Sequence, residues 1–401
     1  MDREELLRRK LQRQQKKSAR RRSLLIKVIA AVVILAITGG LIFYFVRRNS
    51  ASHNNNQGTG TPSTTVIHLA AAGDLNITDR VVESDFSKAF FDVAYLLADA
   101  DMTMLNLEGG FYGAPYGTAG ASAPITLASA LSKAGVDILQ LANSYAIYDG
   151  MQGLANTIQN VKQAGISPLG VYADKNSAKA GKGYIIREIQ GVKIAFVAFT
   201  KGMDGTALPE GNEGCVNLLY TDYDSTYQKV NTAGIKQILG DVKKESPDLT
   251  VALLHWGSEF NDTISATQNT IRDLMLENGV DAIIGTHPHY VQKMEFNQEN
   301  GTFVAYSLGD FFGDAARAGS EYSVILDLEI TKNNDTGETK VTGFTYTPIF
   351  TVAEENQPLK VVRIQEAMES YEAGHMDRVS PETYEKMKYA LTRIEARING
   401  K

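Results

Sequence analysis

Cysteine is nearly absent. Cys215 is the only one in 401 residues, so no intrachain disulfide can form and the fold must hold by its core. Histidine is scarce as well, with six in the chain, which gives weight to any place where imidazoles gather. Past residue 48 cations run short: 27 Lys and Arg face 43 Asp and Glu, a net charge of about −16. A field of that sign repels nucleic acid, and a polyanionic ligand would need a local metal or a basic patch. No internal repeat of solenoid length is present, which excludes a stacked-repeat architecture. What remains is an ordinary globular composition, 43 % hydrophobic and 21 % charged, enough for a sizeable core.

The first 48 residues differ from the rest. Residues 1–27 carry eleven Lys and Arg against Asp2, Glu4 and Glu5, and residues 28–46 contain no charge. At about 1.5 Å per residue such a run spans roughly 28 Å, close to the apolar thickness of a bilayer. The sequence therefore predicts a basic cytoplasmic segment over 1–27 and a single-pass transmembrane helix over 28–46. A cleaved signal peptide is the alternative, but Phe43-Tyr-Phe-Val-Arg-Arg48 lacks small residues suited to cleavage. The charge asymmetry places the N-terminus in the cytoplasm and the main domain outside the cell membrane.

Residues 47–65 are mostly Asn, Ser, Thr and Gly, a composition expected of a flexible linker. From residue 66 short apolar runs alternate with helical stretches, the pattern of an α/β domain, predicted to extend to 352. Three junctions look alike: Ala134-Gly-Val-Asp-Ile-Leu139, Ala164-Gly-Ile-Ser-Pro-Leu169 and Asn278-Gly-Val-Asp-Ala-Ile283. Each places a glycine where a helix ends and a buried strand begins. Met151, Leu154, Ile158 and Val161 are spaced for one buried helix face. Asn300-Gly301 predicts a hairpin, and a polar turn between residues 322–330 and 341–348 predicts a second. Residues 353–401 form a C-terminal helical extension, with Ser380-Pro381-Glu382 as a helix start.

Six apolar runs end in a polar residue able to bind a metal or a substrate. They lead to Asp74, to Asn106 and Glu108, to Asn143, to His255, to His287 and His289, and to Asp310. Pro288 biases His287 toward extended backbone, in which residues two apart project to one side, so His287 and His289 should face one object. Ligands of open α/β sheets sit beyond the carboxyl ends of strands, so these side chains can converge. Singly, each has a bland explanation: Asp74 and Asp310 as caps, Glu108 and Asn143 as turn residues, His255 as a core imidazole beside Trp256. Jointly they point to a metal site. A mixed imidazole and carboxylate set suits one or two divalent ions of manganese, zinc or iron better than calcium. Two ions roughly 4 Å apart can activate water and stabilise a leaving oxygen in phosphoryl transfer.

Gly73-Asp74, Asn106-Leu-Glu108, Leu141-Ala-Asn143, Leu254-His-Trp-Gly257, Gly285-Thr-His-Pro-His289 and Ser307-Leu-Gly-Asp-Phe311 resemble, in order and spacing, the motif series of the CapA family. These are bacterial capsule or poly-γ-glutamate synthesis proteins. The resemblance implies a four-layer α/β sandwich like that of calcineurin-type metallophosphoesterases, and a membrane-anchored role in making or exporting an anionic γ-linked glutamate capsule. It implies Asp74, Glu108, Asn143, His255, His287 and His289 as metal ligands.

Departures from the expected pattern fall in the first, third and last motifs. Where the family usually reads Leu-Ala-Asn-Asn-His, this chain has Ser144 and Tyr145; Asn76 stands where the related phosphoesterase pattern would put a first-motif His, and Asp310 replaces a usual Asn. A lost general acid typically costs about 10²- to 10⁴-fold in rate. Tyr145 and Asp310 are the residues left to take catalytic roles, and a tyrosine with an ordinary pKa near 10 is a weak substitute. Two further stretches border the motifs: the aromatic run Gly109-Gly-Phe-Tyr-Gly-Ala-Pro-Tyr-Gly117, a candidate substrate lip, and the glycine-rich loop 201–216, a candidate lid. Three functions compete. The first is a metal-dependent hydrolase or transferase acting on a phosphoester or a γ-glutamyl polymer. The second is a non-catalytic polymer-binding or assembly subunit with a degenerate site. The third is a sensor of a wall component. The implied partners are other capsule synthesis and export proteins of the membrane, an anionic polymer or wall component, and membrane lipid; nucleic acid is not among them.

Overall fold

The computed structural model describes residues 63–375 and 379–401. Within them the apolar runs become strands of two sheets. In chain order these are β1 (Thr64–Asn76), β2 (Met102–Glu108), β3 (Ile138–Gln140), β4 (Ser167–Leu169), β5 (Tyr184–Ile189), β6 (Val192–Thr200) and β7 (Leu249–His255). They continue as β8 (Ala282–Thr286), β9 (Met294–Asn297), β10 (Thr302–Ala305), β11 (Asp310–Phe312), β12 (Tyr322–Asn333), β13 (Thr339–Val352) and β14 (Lys360–Arg363). The first sheet runs β14-β13-β12-β1-β2-β3-β4, with β11 also paired to β1; the second runs β5-β6-β7-β8-β10-β9. Strands β1 to β4 are parallel, and so are β6, β7, β8 and β10.

Alternation along the strands explains the layering. On β6, Ile194, Phe196 and Ala198 face the first sheet, and Ala195, Val197 and Phe199 face helices on the other side. On β1, Ile67, Leu69 and Ala71 point between the sheets, whereas Ala72 and Leu75 point to the opposite helical layer. The longer helices are α1 (Ile125–Lys133), α2 (Gly150–Gln163), α3 (Thr232–Lys244), α4 (Ala266–Glu277), α5 (Ile364–Glu372) and α6 (Pro381–Ile398). α1 and α2 cover the first sheet, and α3 and α4 cover the second. The result is helix, sheet, sheet, helix, the four-layer α/β sandwich expected. Each fully buried Leu, Ile or Phe of these layers contributes about 1.5–3 kcal/mol.

The three glycine junctions are helix C-caps. Gly135, Gly165 and Gly279 have φ of 103°, 85° and 91°. The N–H of the following residue reaches back to Leu131, Val161 and Met275 respectively, closing each helix before its strand. Both predicted hairpins form, β9 with β10 and β12 with β13. Ser380 caps the start of α6, its side chain accepting from the Thr383 N–H. Beyond residue 352 the chain stays on the same body. β14 pairs with β13, and Met387, Ala390, Ile394 and Ile398 of α6 pack into the layer between the sheets.

The membrane-anchored form of the fold is corrected. Among the described residues no helix is long and apolar enough to cross a membrane. The span predicted over 28–46, with the basic segment before it and most of the linker after it, lies outside the described residues. What the described residues show is the α/β sandwich, with no transmembrane helix among them. The single-pass topology and the extracellular placement that rested on that helix are withdrawn.

Candidate metal centre

The cluster sits where the parallel strands of both sheets end. Asp74 lies at the end of β1 beside a register shift, opposite Asn106 on β2 and Asp310 on β11. Glu108 ends β2, His255 ends β7, and His287 follows β8 directly. Close approach of the backbones makes this possible. A Cβ on Gly73 would lie 1.7 Å from the Gly309 carbonyl oxygen, and one on Gly285 would lie 2.0 Å from that of Tyr306. Only glycine lets β1 and β8 pass these carbonyls.

Asn106 links the two carboxylates of its sheet, donating from Nδ2 to Asp74 Oδ1 at 2.6 Å and to Glu108 Oε2 at 2.9 Å. The other oxygen of Asp74 accepts the His287 N–H at 2.9 Å. His287 has φ of 89° and His289 of 59°, so the expected extended backbone does not form there. Their rings nevertheless share one site, with centroids 6.1 Å apart. Left-handed backbone at a non-glycine residue costs on the order of 1–3 kcal/mol and is held only by over-determining contacts, such as the Asp74 hydrogen bond.

Lone pairs converge in this site. Thr200 Oγ1 donates to the Gly202 carbonyl at 3.0 Å and so accepts from His255 Nδ1 at 2.9 Å. That assigns the proton to Nδ1 and leaves the Nε2 lone pair 2.9 Å from Glu108 Oε2, where it has no hydrogen-bond partner. Two acceptors at that distance require a cation between them, a proton or a metal ion. His287 carries the point further: its side chain is buried and neither ring nitrogen has a partner. An unsatisfied buried polar group typically costs about 1–3 kcal/mol, so an imidazole with two is in place for a ligand.

Three groups could hold an ion: Glu108, His255 and His287; Glu259, His287 and His289; and Asp74, His289 and Asp310, the candidate ligand atoms of each lying within 4.8 Å of one another. A buried His, Glu and Asp cluster able to chelate a divalent metal is therefore present. Burial, with Glu108 and Asp310 nearby, pushes the Asp74 carboxyl up to about 7, against the pull of His289 and His255. Burial acts on Glu108 in the same sense but is outweighed by His255, His289 and Asn106, which hold it at about 2. Burial, then its imidazole neighbour His255, presses His287 well below the usual histidine range. For His289 burial is outweighed by Asp310, which accepts from Nδ1 at 2.8 Å, and by Asp74 and Glu108, raising it to about 10. Burial raises Asp310 despite His289 and a hydrogen bond from Asn76.

Of the residues singled out in the sequence, Asp74, Glu108, His255, His287, His289 and Asp310 come together. Asn143 does not present a comparable donor. Its Nδ2 donates to the Leu107 and Gly109 carbonyls and its Oδ1 accepts the Tyr145 N–H at 2.7 Å, so its amide braces the loop. Ser144 meets the cluster only through its N–H, 3.3 Å from Glu108 Oε1. Tyr145 lies at the rim, 5.9 Å edge-on to Tyr148. Burial and Glu108 raise its hydroxyl to about 12, so at neutral pH it is a proton-bearing donor and not a base. The lip is partly core: Phe111 and Tyr112 are buried, and Tyr116 is exposed. The 201–216 loop likewise buries Met203, Cys215 and Val216. Sequence reasoning missed Glu259, which lies two residues past the Leu254-His-Trp-Gly257 motif, and Thr200, which ends a strand without a motif. It also missed Phe260, whose ring stacks on His289 at 4.9 Å.

The "Capsule biosynthesis protein CapA" of Bacillus anthracis is 28 % identical over 205 residues, 51 % of this chain and 46 % of that protein. The "PGA biosynthesis protein CapA" of Bacillus subtilis is 28 % identical over 206 residues, 51 % of this chain and 50 % of that protein. The chain thus spans about half the length of these relatives. Among solved structures, a novel phosphatase from Mycoplasma pneumoniae superposes with a TM-score of 0.46 at 14 % identity, covering 72 % of this chain and 94 % of its own. The calcineurin-like phosphoesterase YfkN of Bacillus subtilis gives 0.44 at 17 %, covering 82 % and 99 %. The family model described as "Bacterial capsule synthesis protein PGA_cap" matches residues 68–315, a span that carries every residue of the cluster from Asp74 to Asp310, and the chain belongs to that family.

Proposed function

We propose that the protein is a divalent-metal-dependent hydrolase of capsule or poly-γ-glutamate metabolism, acting on a phosphoester or a γ-glutamyl bond of an anionic polymer. The observation that carries this reading is His287, a buried imidazole with both ring nitrogens unpartnered between two ligand groups. Manganese, zinc and iron suit this donor set. When bound, an ion there supplies a Lewis acid and a water of lowered pKa. The chain's own part is to fix the donors. Asn106 links Asp74 to Glu108, Thr200 orients His255, and Asp310 orients His289. Tyr145, which keeps its proton at neutral pH, is the residue this reading would assign to donate to a leaving group. Proteins of capsule assembly and the polymer itself are the partners this reading calls for.

A second reading rests on the third motif. With Asn143 braced into its loop and no imidazole at Ser144 or Tyr145, the centre would hold metal and polymer without turnover. One experiment separates them. The purified protein, prepared without chelator, is assayed for metal by elemental mass spectrometry and for release of phosphate from aryl phosphates and of glutamate from γ-glutamyl oligomers. Bound metal with turnover that is lost in His287→Ala is the expected result. Bound metal without turnover on either substrate class would leave the binding subunit standing, and a metal-free protein that still turns over would sink the proposal.

A further inference from the structure

Arg397, on the last turn of α6, lies outside the matched span 68–315, and most of its cationic side chain is buried. Its side chain is 9 % exposed, and its Nε and Nη1 have no hydrogen-bond partner. The guanidinium lies over the Tyr290 ring at 4.6 Å and near the Tyr322 ring at 5.6 Å, with Nη2 3.3 Å from Asp262 Oδ2. Asp262 already has a second cation in Arg393, at 3.4 Å. A buried and incompletely paired charge is weak support for stability, and a packed apolar side chain would often serve as well. Its aromatic contacts are what offset the burial.

Those contacts run to the metal centre. Tyr290 follows His289 directly, and its hydroxyl donates to the Ala318 carbonyl at 2.9 Å. Asp262 belongs to the same short loop as Glu259 and Phe260. The Phe260 ring stacks on His289 at 4.9 Å and meets Tyr290 edge-on at 5.9 Å, and its N–H donates to the Pro288 carbonyl at 2.9 Å. Phe260 and His289 both have positive φ, of 52° and 59°. Such backbone persists only where its surroundings over-determine it. Arg397 grips the segment at Asp262 on one side and at Tyr290 on the other.

We propose that Arg397 is a positioning residue: from the C-terminal helix it fixes the Glu259 loop and the His289 backbone, and so sets the His289 side of the metal centre. The inference rests on the metal-centre reading above. It is selective, because the Glu108, His255 and His287 group includes none of the gripped residues, whereas both groups containing His289 depend on them.

The test is a stepwise Mn²⁺ titration by calorimetry of the full chain and of Arg397→Gln, Arg397→Lys and Asp262→Asn, with thermal melting of each in parallel. His289→Gln identifies the step that belongs to the His289 side. In Arg397→Gln that step should weaken about 10- to 100-fold, the range seen when groups that orient metal ligands are removed, while the other step and the metal-free melting temperature hold. Arg397→Lys should recover part of the loss through its own cation over Tyr290. Equal weakening of both steps, or no change in either, would overturn the inference while leaving the metal centre intact. If Arg397→Gln does not fold, Asp262→Asn decides alone: selective weakening supports the inference and an unchanged titration overturns it. A wild-type protein that takes up no Mn²⁺ would remove the metal-centre reading, and this inference with it.

Discussion

Protons and metal ions compete for the same atoms at His289 and Asp74. In the metal-free protein His289 is raised from its ordinary 6.5 to about 10, and Asp74 from 3.8 to about 7. Both folded-state values lie above the unfolded ones, so the stability they contribute is present at low pH. It is lost as pH rises through about 7 for Asp74 and through about 10 for His289. The urea midpoint of chelator-treated protein should therefore fall between pH 6.5 and 10, and His289→Gln should flatten that fall. With Mn²⁺ present the fall should vanish, because the ion takes the place of the protons. A metal-free midpoint that rises over this interval would show that other groups govern the alkaline limb.

Strand ends place these residues, and their geometry depends on two glycines that admit neighbouring backbones. Gly73→Ala would set a methyl 1.7 Å from the Gly309 carbonyl oxygen, which also accepts the Asp74 N–H at 2.9 Å. Overpacking typically costs about 1–3 kcal/mol even where neighbours can yield, and here the neighbour is backbone. The variant should lose at least that much stability by chemical denaturation and should bind metal less well, since Asp74 must move with the strand. Normal metal uptake would mean that β1 and β11 can part without cost. At this scale much was legible in the sequence. Gly135, Gly165 and Gly279 end helices because only their left-handed φ closes the cap, and Asn300-Gly301 turns a hairpin for a similar local reason. Local chemistry is visible in a sequence. His287 adopting positive φ, Asn143 being braced by Leu107 and Gly109, and Glu259 joining the cluster all follow from distant contacts that no local pattern records. Arg397 meeting Tyr290 across more than a hundred residues is the same case.

The candidate ligands divide between the two sheets. Asp74, Glu108 and Asp310 stand on the first sheet, and His255 and His287 stand at strand ends of the second. An ion held by Glu108, His255 and His287 therefore adds a tie between sheets that meet through a layer of apolar side chains and through the hydrogen bond of Asp74 to His287. Binding to the folded state alone stabilises it by about 2.7 kcal/mol when free metal is a hundredfold above the dissociation constant. For domains somewhat smaller than this one, each kcal/mol moves the melting temperature by roughly 2–4 °C. Saturating Mn²⁺ or Zn²⁺ should thus raise the melting temperature by roughly 5–10 °C and chelator should reverse it. His287→Ala should abolish most of the rise while changing the metal-free value little, because the lost packing is set against the removal of two unsatisfied nitrogens. Metal that binds in stoichiometric amount yet leaves the melting temperature unmoved would have to sit away from the junction of the sheets, or to bind the unfolded chain equally well. In either case the donors at these strand ends would need another ligand to explain why they are left facing one another.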